Sequence, residues 1–329
     1  SGLINALKIV NKNIEDLKPY RDKVIVFCVG TALKAAIKHG IIPDFAVAVE
    51  TNHNTYVQLN LPEVRDMNLI ISTKTYPEIY RLKARRIFNY FGLNTPASKW
   101  LGQLLEVPVE SYREAGTVSL TAFYSAKLLG CDKIIFIGQD LAYTNNKCYS
   151  QDSLYGIYKV DASKTVSAEN ADSLKDALSV TNSIIEQHAK ALSNNLLYVK
   201  AQDGGKVLTR VDMVLFIKYF EDVAREFGSE LKLVNATEGG AYLEGFEHIT
   251  LKSALEQYTT DTVNVENILK TLNKKSQKIA KKRQILLENL GNIVKNYNRG
   301  WEIIEKLVSE GKIVEVQYAG KDYYVRKLN

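Results

Sequence analysis

Short apolar runs alternate with amphipathic segments along the first two-thirds of the chain. The runs VIVFCV and KIIFI are apolar almost throughout, a pattern typical of strands that are buried on both faces. Between such runs apolar residues recur at helical spacing, and the segment 118–129 ends at Gly130, as helices commonly do. Strands that alternate with helices predict an α/β fold, with a doubly wound, mostly parallel, Rossmann-like sheet. Strands are expected at residues 24–30, 41–51, 69–73, near Ile87, 133–137 and 231–236, and helices at 31–39, after Pro77, at 118–129, 173–192 and 210–227.

The sequence pattern changes near Leu251. From there to about Glu310 the apolar residues keep helical spacing, and the segment contains no proline. The last residues alternate around Ala319-Gly320, a pattern typical of a β-hairpin. We therefore predict an α/β domain at residues 1–250 and a helical C-terminal region at residues 251–329 that ends in the hairpin.

The composition and charge indicate which class of protein the chain belongs to but say little about its function. With 329 residues and 46% hydrophobic content, the chain can bury a large core. The net charge is only +6, and its basic excess gathers at residues 274–284 without a nucleic-acid-binding motif. This stretch predicts a solvated helix face, with an acidic partner surface as the alternative and no nucleic acid as a partner. No signal peptide and no membrane-spanning run is recognised, and because the chain begins with Ser, a missing upstream domain is one interpretation.

Three cysteines stand far apart in the sequence, without the spacing of a metal site. Cys28 falls within an apolar run, and Cys131 lies directly before another. The pattern predicts buried, free thiols rather than a disulfide framework. Such thiols indicate a reducing compartment, so we expect a cytoplasmic protein.

Polar residues follow four of the predicted strands at the point where each strand ends. In open α/β sheets, ligands bind beyond the carboxyl ends of the strands. Gly30 precedes a predicted helix, which allows an anion to approach the helix N-terminus, although neither a P-loop nor a GxGxxG motif is present. The other clusters bring carboxylate, amide and hydroxyl groups to the same edge. The candidate binding residues in these clusters are Gly30, Thr31, Ala32 and Leu33; Glu50, Thr51 and Asn52; Gly138, Gln139 and Tyr143; and Thr237, Gly239 and Gly240.

Three motifs resemble the motility accessory factor family, the DUF115-type flagellin glycosyltransferases with a sialyltransferase-like central domain. They are GIIPDFAVAVE at residues 40–50, GTVSLTAFYSAKLLGCDKIIFIGQDLAYT at 116–144 and NATEGGAYLEGFEHITL at 235–251. The resemblance extends over roughly residues 20 to 255. It departs from the family at Gly30-Thr31-Ala32-Leu33, where G-P-S-L is common, and at Glu50, where the family often has an aspartate.

The resemblance implies transfer of a nonulosonic, sialic-acid-like sugar from a CMP-activated donor to a Ser or Thr hydroxyl of flagellin, in support of flagellar assembly and motility. CMP is then expected near Gly30, Thr31, Thr117 and Ser119. The CMP-sugar and flagellin are the implied partners. No cofactor and no protein metal site is predicted, and a role for Mg²⁺ is left open.

The chemistry needs a base for the acceptor hydroxyl, and the sequence offers several candidates. Asp140 and Glu238 are carboxylates within the matching motifs, and His53 follows the second predicted strand. These three are the predicted catalytic residues, with the roles of base and ligand anchor left open. His188 shares an apolar helix face with Ile184, Ile185 and Leu192, which is typical of a core histidine, and His39 and His248 are weaker candidates.

Two other functions are compatible with the sequence. One is a nucleotide-dependent pterin diphosphokinase, which would need Mg²⁺ held by carboxylates such as Glu50 and Asp140. The other is a non-catalytic module that binds a nucleotide and flagellin, with the basic helical tail holding the protein partner.

Overall fold

The computed structural model describes residues 2–5, 12–90, 96–105, 116–149, 153, 155–161, 163–168, 172–270, 283–310, 313–318 and 321–326. The chain divides into two compact units. The first unit is Ser1–Ser98 with Val109–Ile268, and the second is Lys99–Pro108 with Leu269–Asn329.

The regular elements of the first unit alternate along the chain as the sequence pattern predicts. Its strands are β1 (Gly2–Asn5), β2 (Ile25–Val29), β3 (Phe45–Ala48), β4 (Asn68–Ser72), β5 (Arg86–Tyr90), β6 (Lys133–Ile137), β7 (Tyr158–Val160), β8 (Val166–Ala168), β9 (Leu196–Lys200), β10 (Lys206–Arg210), β11 (Lys232–Asn235) and β12 (Glu247–His248). The helices up to residue 258 are α1 (Gly30–Lys38), α2 (His53–Leu59), α3 (Pro96–Leu105, which crosses the boundary between the units), α4 (Val118–Leu128), α5 (Asp172–Leu178), α6 (Asn182–Ser193), α7 (Val211–Phe227) and α8 (Leu251–Tyr258).

Eight strands form one sheet in the order β12-β11-β6-β1-β2-β3-β4-β5. Every neighbouring pair in it is parallel. The strand order therefore reverses at β1, with β2 on one side and β6 on the other. The predicted doubly wound, parallel α/β fold is confirmed, and the reversal marks the edge where such sheets bind ligands.

Apolar side chains cover both faces of this sheet. On one face, residues of α1 and α8 such as Leu33 and Leu255 pack with Ile135 of β6 in a single buried cluster. On the other face, Phe136 contacts Phe123 of α4 and Phe220 of α7 at centroid distances of 6.3 and 5.3 Å. This double covering explains why the central strands are apolar almost throughout.

Some elements differ from the sequence prediction. The segment predicted as one helix at 173–192 is two helices, α5 and α6. Ser179 takes a left-handed conformation with φ of 54°, and the Thr181 side chain accepts a hydrogen bond from Ile184 N–H and so starts α6. The residues after Pro77 form a 3-10 helix, Pro77–Arg81. β1 and the antiparallel pairs β7–β8 and β9–β10 were not predicted.

The second unit contains a long helix and a strand pair. The helix α9 spans Arg283–Ser309, and β13 (Ile313–Tyr318) pairs antiparallel with β14 (Lys321–Arg326). Most of the basic stretch 274–284 lies outside the described residues. In the described part of the chain, no helix is both long enough and apolar enough to cross a membrane.

All three cysteines are buried thiols without a disulfide bond, as predicted. Burial raises the pKa of the Cys28 thiol far above its usual value and that of Cys131 to about 11. These thiols are therefore protonated at neutral pH and act as apolar core groups.

Candidate functional site

A cavity of about 400 Å³ lies within the first unit, beyond the carboxyl ends of β2 and β3. Helix α1 begins directly after β2, and α2 follows β3 after a short loop. Much of the remaining wall comes from Tyr149, Tyr155 and Tyr158 and from the helices α5 and α6. The lining residues are Gly30, Thr31, Val47, Ala48, Val49, Glu50, Asn52, Asn54, Thr55, Gln58, Val118, Tyr149, Tyr155, Tyr158, Leu174, Leu178, Val180, Ile184, Ile185 and His188.

The N-terminus of α1 opens into this cavity through Gly30 and Thr31. The N-cap residue of α1 is Val29, whose side chain cannot accept a hydrogen bond. The first backbone N–H groups of the helix are therefore not capped by the Val29 side chain. A Cβ atom at Gly30 would lie 2.6 Å from Gln58 Oε1, so only glycine lets the Gln58 side chain lie this close. The arrangement suits an anionic group of a ligand.

The loop after β3 and the start of α2 form the polar side of the cavity. The Glu50 carbonyl accepts hydrogen bonds from Thr75 Oγ1 at 3.0 Å and from Tyr76 N–H at 3.3 Å, which fixes this loop to the one after β4. Asn52 Oδ1 accepts from Thr55 N–H at 3.2 Å and caps α2. Asn54 Nδ2 donates to the Tyr155 hydroxyl at 3.0 Å across the cavity.

An aromatic wall with His188 adjoins this polar side through the bond from Asn54 to Tyr155. The His188 ring meets Tyr158 and Tyr155 edge-on, at centroid distances of 4.8 and 5.7 Å. Burial lowers the pKa of His188, and the nearby Arg210 guanidinium lowers it further. Burial also raises the pKa of Tyr158 to about 12 and that of Tyr155 above its usual value. At neutral pH the wall therefore combines a neutral imidazole with protonated phenols, that is, a proton acceptor with hydrogen-bond donors.

The remaining wall is apolar. It is built by side chains of α5, α6 and the start of α4, among them Val118, Leu174, Leu178 and Ile184. Apolar walls exclude water from the polar groups they face, which strengthens electrostatic interactions there.

The polar residues that follow β6 and β11 form a different structure, which we call the paired turns (residues 138–144 and 235–241). Gln139 N–H donates to Thr237 Oγ1 at 2.9 Å, and Thr144 Oγ1 donates to Asp140 Oδ1 at 2.8 Å. The Ala241 N–H donates to the Asp140 carbonyl at 2.8 Å. Both Gln139 and Asp140 are buried, and neither lines the cavity. In the paired turns, several polar groups of one turn thus bind those of the other, while Gln139 Oε1 and Asn235 Nδ2 are buried without a hydrogen-bond partner among the described residues.

Gly240 holds the paired turns in close contact. Its φ is +79°, and a Cβ atom placed on it would lie 2.4 Å from the Asp140 carbonyl oxygen. The glycine is therefore required by backbone contact between the two turns. Glu238, also in the left-handed region with φ of 58°, accepts a hydrogen bond from Leu251 N–H at 2.9 Å at the start of α8.

The structure brings four of the sequence-predicted site residues together on the cavity wall, Gly30, Thr31, Glu50 and Asn52. Ala32 and Leu33 have buried side chains in the core. Thr51 and His53 are exposed beside the cavity without lining it. Thr117 Oγ1 accepts from Ser119 N–H at 3.4 Å and caps α4, whose Val118 reaches the cavity. Gly138, Gln139, Asp140, Thr237, Glu238, Gly239 and Gly240 lie in the paired turns, and Tyr143 follows in them with its hydroxyl bound to the Leu192 carbonyl at 2.9 Å.

Several lining residues were missed in the sequence. His188 was assigned to the core from its apolar helix face, yet the same face meets the cavity. Tyr149, Tyr155 and Tyr158 fall within YSQDSLYGIY, whose three tyrosines in ten residues were a usable signal. Asn54 and Gln58 lie one helical turn apart on α2, which shows that they share a face once α2 is recognised as a helix.

Comparison with known proteins supports the resemblance seen in the motifs. The family model described as MptE-like, 6-hydroxymethylpterin diphosphokinase MptE-like, matches residues 10–146. A solved structure, the MAf glycosyltransferase from Magnetospirillum magneticum AMB-1, is similar to the chain with a TM-score of 0.55 and 17% identity. The chain is similar to MptE-like and MAf proteins. The resemblance predicted from the three motifs is confirmed at this level.

The extent of these matches also matters. The similarity to the MAf glycosyltransferase covers 86% of this chain but only 37% of that one, so the chain spans well under half the length of its structural relative. At this identity the likeness shows the fold. No curated protein matches the chain in sequence.

Proposed function

We propose that the protein is a glycosyltransferase that moves a nonulosonic sugar from a CMP-activated donor to a Ser or Thr hydroxyl of flagellin, in support of flagellar assembly and motility. The observation that carries the proposal is the cavity itself. The N-terminus of α1, which its N-cap side chain does not cap, and the neutral His188 imidazole line the same cavity at the carboxyl ends of β2 and β3. The motif resemblance and the glycosyltransferase fold of the structural relative support it.

The α1 N-terminus is the proposed phosphate site of the donor. The backbone N–H groups after Gly30 and the hydroxyl of Thr31 are hydrogen-bond donors at the cavity wall. Charge increases on the CMP phosphate as its bond to the sugar breaks. Fixed donors and the positive end of a helix dipole stabilise that charge without reorganising.

His188 is the proposed base. The acceptor hydroxyl oxygen attacks the anomeric carbon of the sugar and gives its proton to the His188 imidazole, while the carbon–oxygen bond to the phosphate breaks. CMP leaves with the electron pair of that bond. Because burial and Arg210 lower the pKa of His188, the imidazole is neutral at pH 7 and able to accept the proton.

Tyr155 is placed to assist the leaving group. Its hydroxyl oxygen already accepts a hydrogen bond from Asn54, so its own hydrogen can be donated into the cavity. The raised pKa of Tyr155 keeps this hydrogen in place at neutral pH. The apolar wall formed by buried residues such as Leu174 and Leu178 limits the access of water, which would otherwise hydrolyse the donor.

The test is a His188→Gln variant in a transfer assay with a CMP-activated nonulosonic acid and flagellin. Loss of a general base should lower the transfer rate by about two to four orders of magnitude. CMP binding, measured by calorimetry, should stay close to that of the parent, because the phosphate site is on α1. His39→Gln is the matched control, since His39 pairs with Glu15 away from the cavity. Transfer at the parent rate by a folded His188→Gln variant would remove His188 from the mechanism.

A second function is favoured by the match of the MptE-like model to residues 10–146, which includes β2 to β6. A pterin diphosphokinase would use the same α1 N-terminus for the phosphates of ATP and would require Mg²⁺. Calorimetry with CMP and with ATP, each with Mg²⁺ or EDTA, separates the two functions. We expect CMP to bind; Mg²⁺-dependent binding of ATP together with 6-hydroxymethylpterin, and no binding of CMP, would favour the kinase.

A further inference from the structure

Three aromatic rings form a cluster just outside the cavity, which we call the rim cluster (His53, Tyr56 and Tyr76). The His53 ring lies 5.7 Å from Tyr56 and 5.4 Å from Tyr76, and the two tyrosines are 6.4 Å apart, measured between ring centroids. His53 is exposed and the tyrosines are half-buried. Each ring therefore contacts the other two and still presents part of its surface to solvent.

The rim cluster is joined to the cavity by short, well-defined backbone links. His53 stands between Asn52 and Asn54, which both line the cavity. Tyr76 N–H donates to the carbonyl of Glu50, another lining residue, at 3.3 Å. The position of the cluster relative to the cavity mouth is thus fixed by the loops after β3 and β4.

The tyrosines of the rim cluster also pack against the hydrophobic core. Both pack against the buried core that contains Leu59 and Ile79. The α2 helix that carries His53 and Tyr56 is capped by Asn52 and anchored by the buried Thr55 and Leu59. Binding of a partner therefore costs little side-chain entropy in the rings, because they are already ordered.

We infer that the rim cluster is the docking surface for the acceptor polypeptide, where it holds the apolar residues beside the hydroxyl that receives the sugar. This inference rests on the proposed function and names the acceptor side of that same site. A polypeptide fits better than a second sugar because the rings are tilted to one another by 32°, 77° and 50°. The rings are not coplanar, so the cluster does not offer one flat face on which a sugar ring could stack.

The chemistry of the cluster suits a peptide segment. Tyrosine rings supply apolar contact area with few rotatable bonds, and the exposed imidazole can donate to or accept from a peptide backbone group. His53 does not line the cavity, so its role is positioning of the acceptor, distinct from the proton transfer assigned to His188.

The test compares His53→Ala, His53→Phe and Tyr76→Leu in the full chain. We expect His53→Ala to raise the KM for flagellin about three- to tenfold at an unchanged kcat, the loss typical of one aromatic contact. His53→Phe restores the ring and should bring KM back towards the parent. Tyr76→Leu keeps apolar volume against the core and should raise KM in the same direction. Tyr198→Leu is the matched control, because Tyr198 is an exposed tyrosine on β9, outside the cavity and the rim cluster.

Binding of flagellin measured without a donor gives the inference its own readout. Weaker flagellin binding by His53→Ala than by the parent and Tyr198→Leu supports the docking role. Equal affinity of all three proteins overturns it, as does an equal loss of kcat in His53→Phe and His53→Ala, which would assign His53 to the chemistry. A parent chain that neither binds CMP nor hydrolyses the donor contradicts the proposed function instead.

Discussion

The cavity and the paired turns look alike in the sequence but differ in how their polar groups are used. Both follow buried strands, both contain glycine, and both contain carboxylate and amide side chains. At the cavity, the α1 N-terminus and the Asn54 and His188 side chains line a shared open space. In the paired turns, Thr237, Thr144 and Gly240 contact the 138–141 backbone and the Asp140 carboxylate directly.

The difference teaches what a glycine after a strand can mean. At Gly30 the missing side chain leaves room for the Gln58 side chain at the cavity wall. At Gly240 it lets one turn press against the backbone of another. A glycine after a strand therefore borders a cavity at one position and permits a close backbone contact at the other.

The largest effect expected from this comparison is at Gly240. Gly240→Ala combines a left-handed φ with a Cβ that would lie 2.4 Å from the Asp140 carbonyl oxygen. We expect the free energy of unfolding to fall by about 2–5 kcal/mol. Gly204→Ala is the matched control, since its φ is +87° but its Cβ would meet nothing within 4 Å. Its cost should be about 1 kcal/mol, and urea unfolding of both variants measures the contrast. Equal costs would show that the turns are not in tight contact.

The next effect concerns the carboxylates that the sequence predicts to be catalytic. Glu238→Gln keeps an oxygen that can accept from Leu251 N–H, so the structure predicts transfer and stability near those of the parent. Asp140→Ala removes the acceptor of the Thr144 hydroxyl and should lower the free energy of unfolding by about 1–3 kcal/mol.

Transfer assays on the folded fraction of these two variants decide between the interpretations. A structural role predicts rates close to the parent's once the unfolded fraction is subtracted. A catalytic role predicts a loss of roughly two to four orders of magnitude in a stable protein. That second result would make the paired turns part of the active site.

A smaller effect is expected at the hydrogen bond between the two turns. Thr237→Val keeps the side-chain shape but removes the acceptor of Gln139 N–H, which lies 2.9 Å away. The expected loss in the free energy of unfolding is about 1 kcal/mol. Thr51→Val, at an exposed position, is the control and should change stability little. Thermal unfolding of both proteins checks the difference.

The smallest effect is a pH dependence of stability from His188. Its pKa in the folded protein lies below the ordinary value of 6.5, mainly because of burial. Below pH 6.5 His188 binds a proton in the unfolded chain but not in the folded chain. The free energy of unfolding therefore falls as the pH falls from 6.5 towards the pKa of His188 in the folded protein. His188→Gln lacks this contribution. Between pH 7.5 and 5.5 the free energy of unfolding should therefore fall more in the parent than in the His188→Gln variant. An equal fall in both proteins would mean that His188 is not buried as described.

The sheet was predictable from the sequence because its signal is local. Strands such as β2 and β6 are short apolar runs, and each can be recognised without its neighbours. β1 was missed because GLIN is only four residues long and stands apart from any alternating pattern. The split between α5 and α6 depends on the left-handed Ser179, which no periodicity reveals.

The cavity was predictable only on one side. Gly30 and Glu50 follow strands directly, so the rule that ligands bind at strand ends finds them. His188 and Tyr158 come from segments far along the chain, and only tertiary packing brings them opposite α1. His188 lies on an apolar helix face, which the sequence analysis assigns to the core. A helix face that lines a cavity has the same sequence pattern as one that packs in the core, so the sequence does not distinguish them.

The place of β1 has a consequence for the order of assembly. This strand precedes β2 in the sequence, yet it lies between β2 and β6, with Gly2 paired to Ile25 on one side and to Ile134 on the other. During synthesis β1 can join β2 early, but its second edge stays open until β6 has emerged. Open edges of this kind recruit other strands, and pairings between distant segments form slowly. The nascent chain thus passes through a stage in which its central strand is an unprotected edge, and that stage is where a chaperone, or an aggregate, would first make contact.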